Sequence, residues 1–112
     1  MSVSGFLRYA DKAAHRSGFL RYYRNRHAPI LASFPGIRSI VLHSPVEWRD
    51  CFPINPGRFT LPAQMIFDSR EDLHRALQSE ARAQARADFA HFPQFEGIAY
   101  PQAVISEEVL AP

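Results

Sequence analysis

A chain of 112 residues and 12.8 kDa has room for one domain over 1–112, and none for a cofactor domain beside a substrate domain. With 46% hydrophobic and 12% aromatic residues it can bury about 65% of its unfolded surface, which excludes wholesale disorder. The formal charge is +2, but twelve of the thirteen basic residues are Arg scattered among eleven acids, so no basic tract marks a nucleic-acid footprint. Cys51 is the single cysteine; it excludes an intrachain disulfide scaffold and fits a reducing, cytoplasmic setting. No stretch approaches about 18 apolar residues and no export signal is evident, so a membrane span is not expected.

In chain order, the apolar and aromatic run over 3–9 predicts a strand. Ser17 suits a helix N-cap, and Phe19, Leu20, Tyr23, Ile30, Leu31 and Phe34 then share one arc of about 120° at 100° per residue. His27 lies inside that arc and is expected to face the sheet. Pro29 lacks an N–H and crowds the carbonyl of Asn25, so a kink or restart is expected just after His27. Pro35 and Gly36 close the helix, and a strand over 36–44 follows with apolar side chains on both faces.

The segment 45–61 is a long connection rich in proline, whose Trp48, Cys51, Phe52 and Phe59 predict a lid or partner-contacting loop that packs onto something. A strand over 63–67 leads to Ser69 and Asp72, a capping-box pair that starts a second helix carrying Leu73, Ala76 and Leu77. A break is expected near Ser79, before an alanine-rich helix over 81–92 with Ala81, Ala85, Phe89 and Phe92 on one stripe. Pro93 stops it, and a last strand is expected over 103–110. The hexapeptide SGFLRY occurs twice, at 4–9 and 17–22, read once as strand and once as helix.

Strand, helix, strand, strand, helix, strand is the order of a ferredoxin-like split βαβ fold, an α+β class with a four-stranded antiparallel sheet and its helices on one face. Apolar residues on both sheet faces then call for a second layer, which an identical subunit packed sheet to sheet would supply. A homodimer is therefore expected.

The run Phe19, Leu20, Arg21, Tyr22, Tyr23, then His27, Ala28, Pro29 and Ile30, with Pro35 and Gly36 after it, resembles the EthD-like family of dimeric α+β barrels. Met65, Ile66, Phe67, Asp68, Ser69, Glu71, Asp72 and Leu73 resemble that family's strand-to-helix junction, and Phe92, Glu107 and Glu108 also fit. The resemblance implies a homodimeric barrel with one cleft per subunit between helices and sheet. Relatives of this kind include lactone isomerases, polyketide cyclases, dehydratases and cofactor-free monooxygenases.

His27 is the candidate general acid/base, because an imidazole held beside Tyr23 can accept and return a proton near neutral pH. Tyr23, Tyr9, His43, Gln64, His91 and Phe92 are the candidate substrate-binding residues: phenols to donate to a carbonyl, a strand amide to orient a ligand, and aromatic neighbours to line an apolar pocket. His15 and His74 read as surface residues. No histidine pair has metal-ligand spacing with Glu, and no nucleotide or hydrolase motif occurs, so neither metal nor cofactor is expected.

The expected function is that of a small cofactor-independent enzyme, or enzyme-like protein, acting on an apolar carbonyl-bearing metabolite by isomerisation, cyclisation or dehydration. The alternatives are a non-catalytic dimeric binding or accessory protein of an oxidative degradation pathway, and a cofactor-free monooxygenase.

Overall fold

The computed structural model describes residues 2–10, 12–13, 16–55, 59–93, 95–96 and 99–110. Its elements are β1 (Ser2–Ala10), β2 (Lys12–Ala13), α1 (Arg16–Tyr22), a π-helical segment (Tyr23–His27), α2 (Ala28–Ala32), β3 (Ile37–Leu42) and β4 (Phe59–Phe67). There follow α3 (Arg70–Leu77), α4 (Glu80–Asp88), a 3-10 turn (Phe89–His91), β5 (Phe95–Glu96) and β6 (Ala99–Ser106). Strands β3, β4, β1 and β6 form one antiparallel sheet in that order, while β2 and β5 make a separate two-stranded ribbon. Each of the two helical crossovers thus skips a strand, which is the ferredoxin-like α+β fold that the element order predicts.

Strand alternation sets the two faces. On β1, Val3 and Tyr9 are buried beneath the helices, and on β4 Leu61, Ala63 and Phe67 join them. Phe19, Tyr23, Leu31 and Phe34 from the first helical region and Leu73, Ala76 and Ala85 from α3 and α4 close the core over this face. Ser4, Phe6, Gln64, Ile66, Val41 and Tyr100 point the other way, with Val41 and Tyr100 exposed. Among the described residues no helix covers that outer face.

The helices begin and end for local reasons. Ser69 Oγ accepts the backbone N–H of Asp72 and Ser79 Oγ that of Arg82, so the expected break near Ser79 is a second N-cap. The Asp72 carboxylate turns to Arg75 instead of completing the box. Gly36, at φ +76°, makes the turn into β3 in a left-handed conformation that costs a glycine little. Ser17 is not a cap: α1 starts at Arg16 and Ser17 stands in its first turn.

Three strand boundaries differ from expectation, each for a physical reason. β6 runs over Ala99–Ser106, not 103–110, because it pairs with β1 from Tyr9↔Ala99 to Ser2↔Ser106 and has no partner beyond. As an edge strand it tolerates Pro101. β4 starts at Phe59, ahead of Pro62, whose missing N–H falls at the pair with His43, just past the end of β3, where the His43 N–H donates to the Pro62 carbonyl. β3 is shorter than 36–44 and carries a register shift between Ile37 and Ser39.

The connection after β3 is exposed throughout its described part, with Trp48 57% and Phe52 72% accessible. Among the described residues Trp48 and Phe52 are not packed against the rest of the chain, and the burial of Phe59 lies outside what is described. Among the described residues, no helix is long and apolar enough to cross a membrane.

Candidate functional site

Pro29 shapes the site. A regular α-helix through Pro29 would press its ring on the Asn25 carbonyl and lose one hydrogen bond. The chain instead widens into the π-helical segment: Ala28 N–H reaches back to the Tyr23 carbonyl, and α2 restarts with Pro29 in its first turn, where no donor is needed. The expected interruption after His27 is this widening. Its last residue, His27, is 1% exposed.

His27 Nδ1 lies 2.9 Å from Asp88 Oδ2, and the Tyr22 hydroxyl donates to Asp88 Oδ1 at 2.7 Å. Asp88 is the last residue of α4, so the pair ties the first helical region to the fourth helix. Burial pushes the Asp88 carboxyl up, but hydrogen bonds from His27 and Tyr22 and the charges of His27 and His91 outweigh it and hold it below the ordinary carboxylate range. Asp88 is therefore ionised at neutral pH and accepts Nδ1–H. The tautomer follows: Nε2 carries the lone pair, and among the described residues it has no hydrogen-bond partner.

The imidazole is stacked at 5.5 Å on Phe89 and sits 4.8 Å from both Tyr23 and Phe92. Burial among these rings lowers its pKa from 6.5, more than the Asp88 hydrogen bond and charge raise it. A neutral, oriented imidazole results, able to take a proton through Nε2. Burial also pushes the Tyr23 phenol far up, so it stays a donor at any ordinary pH.

His27 and Tyr23 border a cavity of 420 Å³ under the helical layer. Its deep walls are Leu31, Phe34 and Leu73, which are buried, with Gly5, Leu7 and Met65 from the sheet. The solvent side is formed by Arg86 of α4, by Phe89 at the start of the 3-10 turn and by Pro101 and Ala103 of edge strand β6. Most of the lining is apolar, and Tyr23, His27, Arg82, Arg86 and Gln102 are its polar members.

Of the residues singled out from sequence, Tyr23 and His27 line this cavity. Tyr9 and Phe92 lie in the aromatic cluster beside them, 5.7 Å and 5.8 Å from Tyr23 by ring centroid. Tyr9 is buried, and its phenol is pushed far up by that burial and by Tyr23. His91 is exposed in the 3-10 turn. His43 and Gln64 are on the outer sheet face, joined at 3.2 Å, and Gln64 Nε2 donates to the buried Ser4 hydroxyl. Sequence alternation puts His43 with Ile37 and Val41; the register shift after Ile37 leaves it with Val41 alone. His74 is exposed as expected, whereas His15 lies outside the described residues.

Asp88 and Tyr22 are the members that pattern reading missed. A signal existed for Asp88: an acid in the last turn of a helix opposes the macrodipole and calls for a compensating partner. Arg82 and Arg86 were missed too; both line the cavity, Arg82 half-buried and Arg86 exposed. Among the described residues, no group of three or more His, Cys, Asp or Glu is placed to hold a metal ion.

Fold and site together define a small ferredoxin-like α+β protein with a histidine–carboxylate pair beside an apolar cavity under the helices. The EthD domain model matches residues 12–96, and the chain belongs to the EthD family. An EthD family protein from Bacillus halodurans superposes with a TM-score of 0.76 at 21% identity, covering 96% of this chain and 100% of its own. An EthD-like protein from Ralstonia eutropha gives 0.68 at 18%, with 96% of each chain covered. SnoaB, a cofactor-independent oxygenase from Streptomyces nogalater, gives 0.63 at 14%, covering 99% of this chain and 98% of that one. Among curated proteins none matches the sequence.

Proposed function

We propose that the protein is a cofactor-independent enzyme that moves a proton next to the carbonyl of an apolar compound, with His27 as the general acid/base. The observation that carries this reading is the pairing of His27 Nδ1 with the ionised Asp88, which leaves Nε2 basic at the wall of the 420 Å³ cavity. Nε2 takes the proton from the carbon beside the carbonyl; the electron pair moves onto the carbonyl oxygen, and the enolate is met by a donor such as the Tyr23 phenol. The imidazolium, stabilised by Asp88, returns the proton to another carbon in an isomerisation, or to a departing hydroxyl in a dehydration. Tyr9 and Phe92 hold the aromatic wall against which His27 and Tyr23 are set.

In the same reading the protein works as a homodimer, its bare sheet face with Phe6, Val41, Ile66 and Tyr100 covered by a second copy. His43 and Gln64 then belong to the interface, and His91 to the rim near Asp88.

The test is hydrogen–deuterium exchange of enolisable ketones in D2O, followed by NMR, for wild type and His27→Gln. Wild type should accelerate exchange and the variant should lose about 10²- to 10⁴-fold, the usual contribution of a positioned base. Equal rates refute the assignment. The likeness to a cofactor-independent oxygenase favours a second reading, in which the same enolate reacts with oxygen; product formation that stops under nitrogen would select it. Saturable binding with no exchange in either atmosphere would leave a non-catalytic binding protein.

A further inference from the structure

We infer that the compound this cavity takes carries a carboxylate, and that Arg82 and Arg86 of α4 read it; the inference rests on the cavity being the substrate site. Helical positions 82, 85, 86 and 89 recur at the i, i+3, i+4, i+7 spacing, and all four line the cavity. Two of the four are arginine: Ala85 is buried and Arg82 half-buried, while Arg86 and Phe89 are exposed at the solvent side of the cavity.

Among the described residues the ion pairs are His27 with Asp88, Arg38 with Asp68 and Arg75 with Asp72, and none involves Arg82 or Arg86. Arg82 has a 3.4 Å contact from Nη1 to the Leu77 carbonyl at the end of α3, which leaves most of its donors for another acceptor. Both side chains line the cavity from its solvent side, Arg86 exposed and Arg82 half-buried, and the planar fork of donors on each matches a carboxylate.

Position sets the shape of the ligand. Arg86 stands three residues before Phe89, about 4.5 Å along the helix axis, and Arg82 about 10 Å. Phe89 is stacked on His27. The anionic group therefore lies on the solvent side, roughly one aromatic ring away from the carbon that His27 Nε2 reaches. An aromatic or alicyclic keto acid has this form, with its carbonyl end deep and its acid end at α4.

The experiment uses a matched pair of probes, 4-acetylbenzoate and its methyl ester, titrated by calorimetry into wild type, Arg86→Gln, and the double variant Arg82→Gln with Arg86→Gln. Wild type should prefer the acid by at least about tenfold, the value of one charge-assisted hydrogen bond, and added salt should weaken the acid alone. The double variant should bring acid and ester within about twofold while ester affinity is kept, which also certifies its fold. Equal affinities in wild type, binding of neither probe, or a preference that survives in the double variant overturns the inference. The two readings separate in His27→Gln: an acid preference kept there supports the arginine site even where deuterium exchange of the acetyl group is absent from wild type as well.

Discussion

A buried neutral histidine must show itself in the pH dependence of stability. His27 is 1% exposed and its pKa is lowered from 6.5 mainly by burial. Below its ordinary value, the unfolded chain takes up a proton that the folded chain refuses. Stability is then full above about pH 6.5 and falls as the pH drops toward the folded pKa, with a slope of up to about 1.4 kcal/mol per pH unit for this one group. For a domain of this size that is a fall in Tm of about 6 °C per unit. The Asp88 linkage lies below its ordinary 3.8, in a separate and more acidic window. Thermal melts followed by circular dichroism between about pH 5 and pH 8 measure the slope, and His27→Gln supplies the reference, since it retains every other titrating group. The variant should be less stable at high pH, and its curve should be flatter through the window, so the two lines converge in acid. Parallel lines would refute the claim that His27 is held neutral by burial.

Asp88→Asn keeps an acceptor for His27 Nδ1–H but removes the charge that opposes desolvation, so exchange catalysis should fall by up to about tenfold per unit of lost basicity. Ketone affinity, measured by the same calorimetry, should stay unchanged; an undiminished rate would show that Asp88 does not support the base. Phe67, 0% exposed between β3 and β1, should cost about 3–5 kcal/mol on truncation to Ala, read from urea unfolding midpoints. Ile66→Glu puts a charge on the outer face of a central strand, opposite its own copy if two sheets pack together. Sedimentation should find a dimer for wild type and a monomer for the variant, and a variant still paired would mean that another surface joins the subunits.

What the sequence discloses and what it hides is clearest in SGFLRY. At 4–9 the hexapeptide is part of β1, so Phe6 faces outward while Tyr9 is buried; at 17–22 it is part of α1, where Phe19 is 1% exposed and Tyr22 reaches Asp88. The two roles are assigned by what surrounds each copy: β1 is flanked by β4 and β6, whereas the second copy starts a helical stretch whose apolar residues recur at a period near 3.6. Periodicity therefore carries the fold and also brings His27 inward, and Pro29 marks where the helix must widen. It says nothing about which residue from a distant element meets His27. Sixty-one positions separate His27 from Asp88, and only the packing of α4 on the first helical region closes that gap. The same limit hid Arg82 and Arg86. On a helical wheel they read as the flank of an alanine-rich helix, and only the fold brings them to one cavity with residues of β6. An acid in the last turn of a helix breaks a local rule and a charge on a flank breaks none, so Asp88 left a trace in the sequence and the two arginines did not.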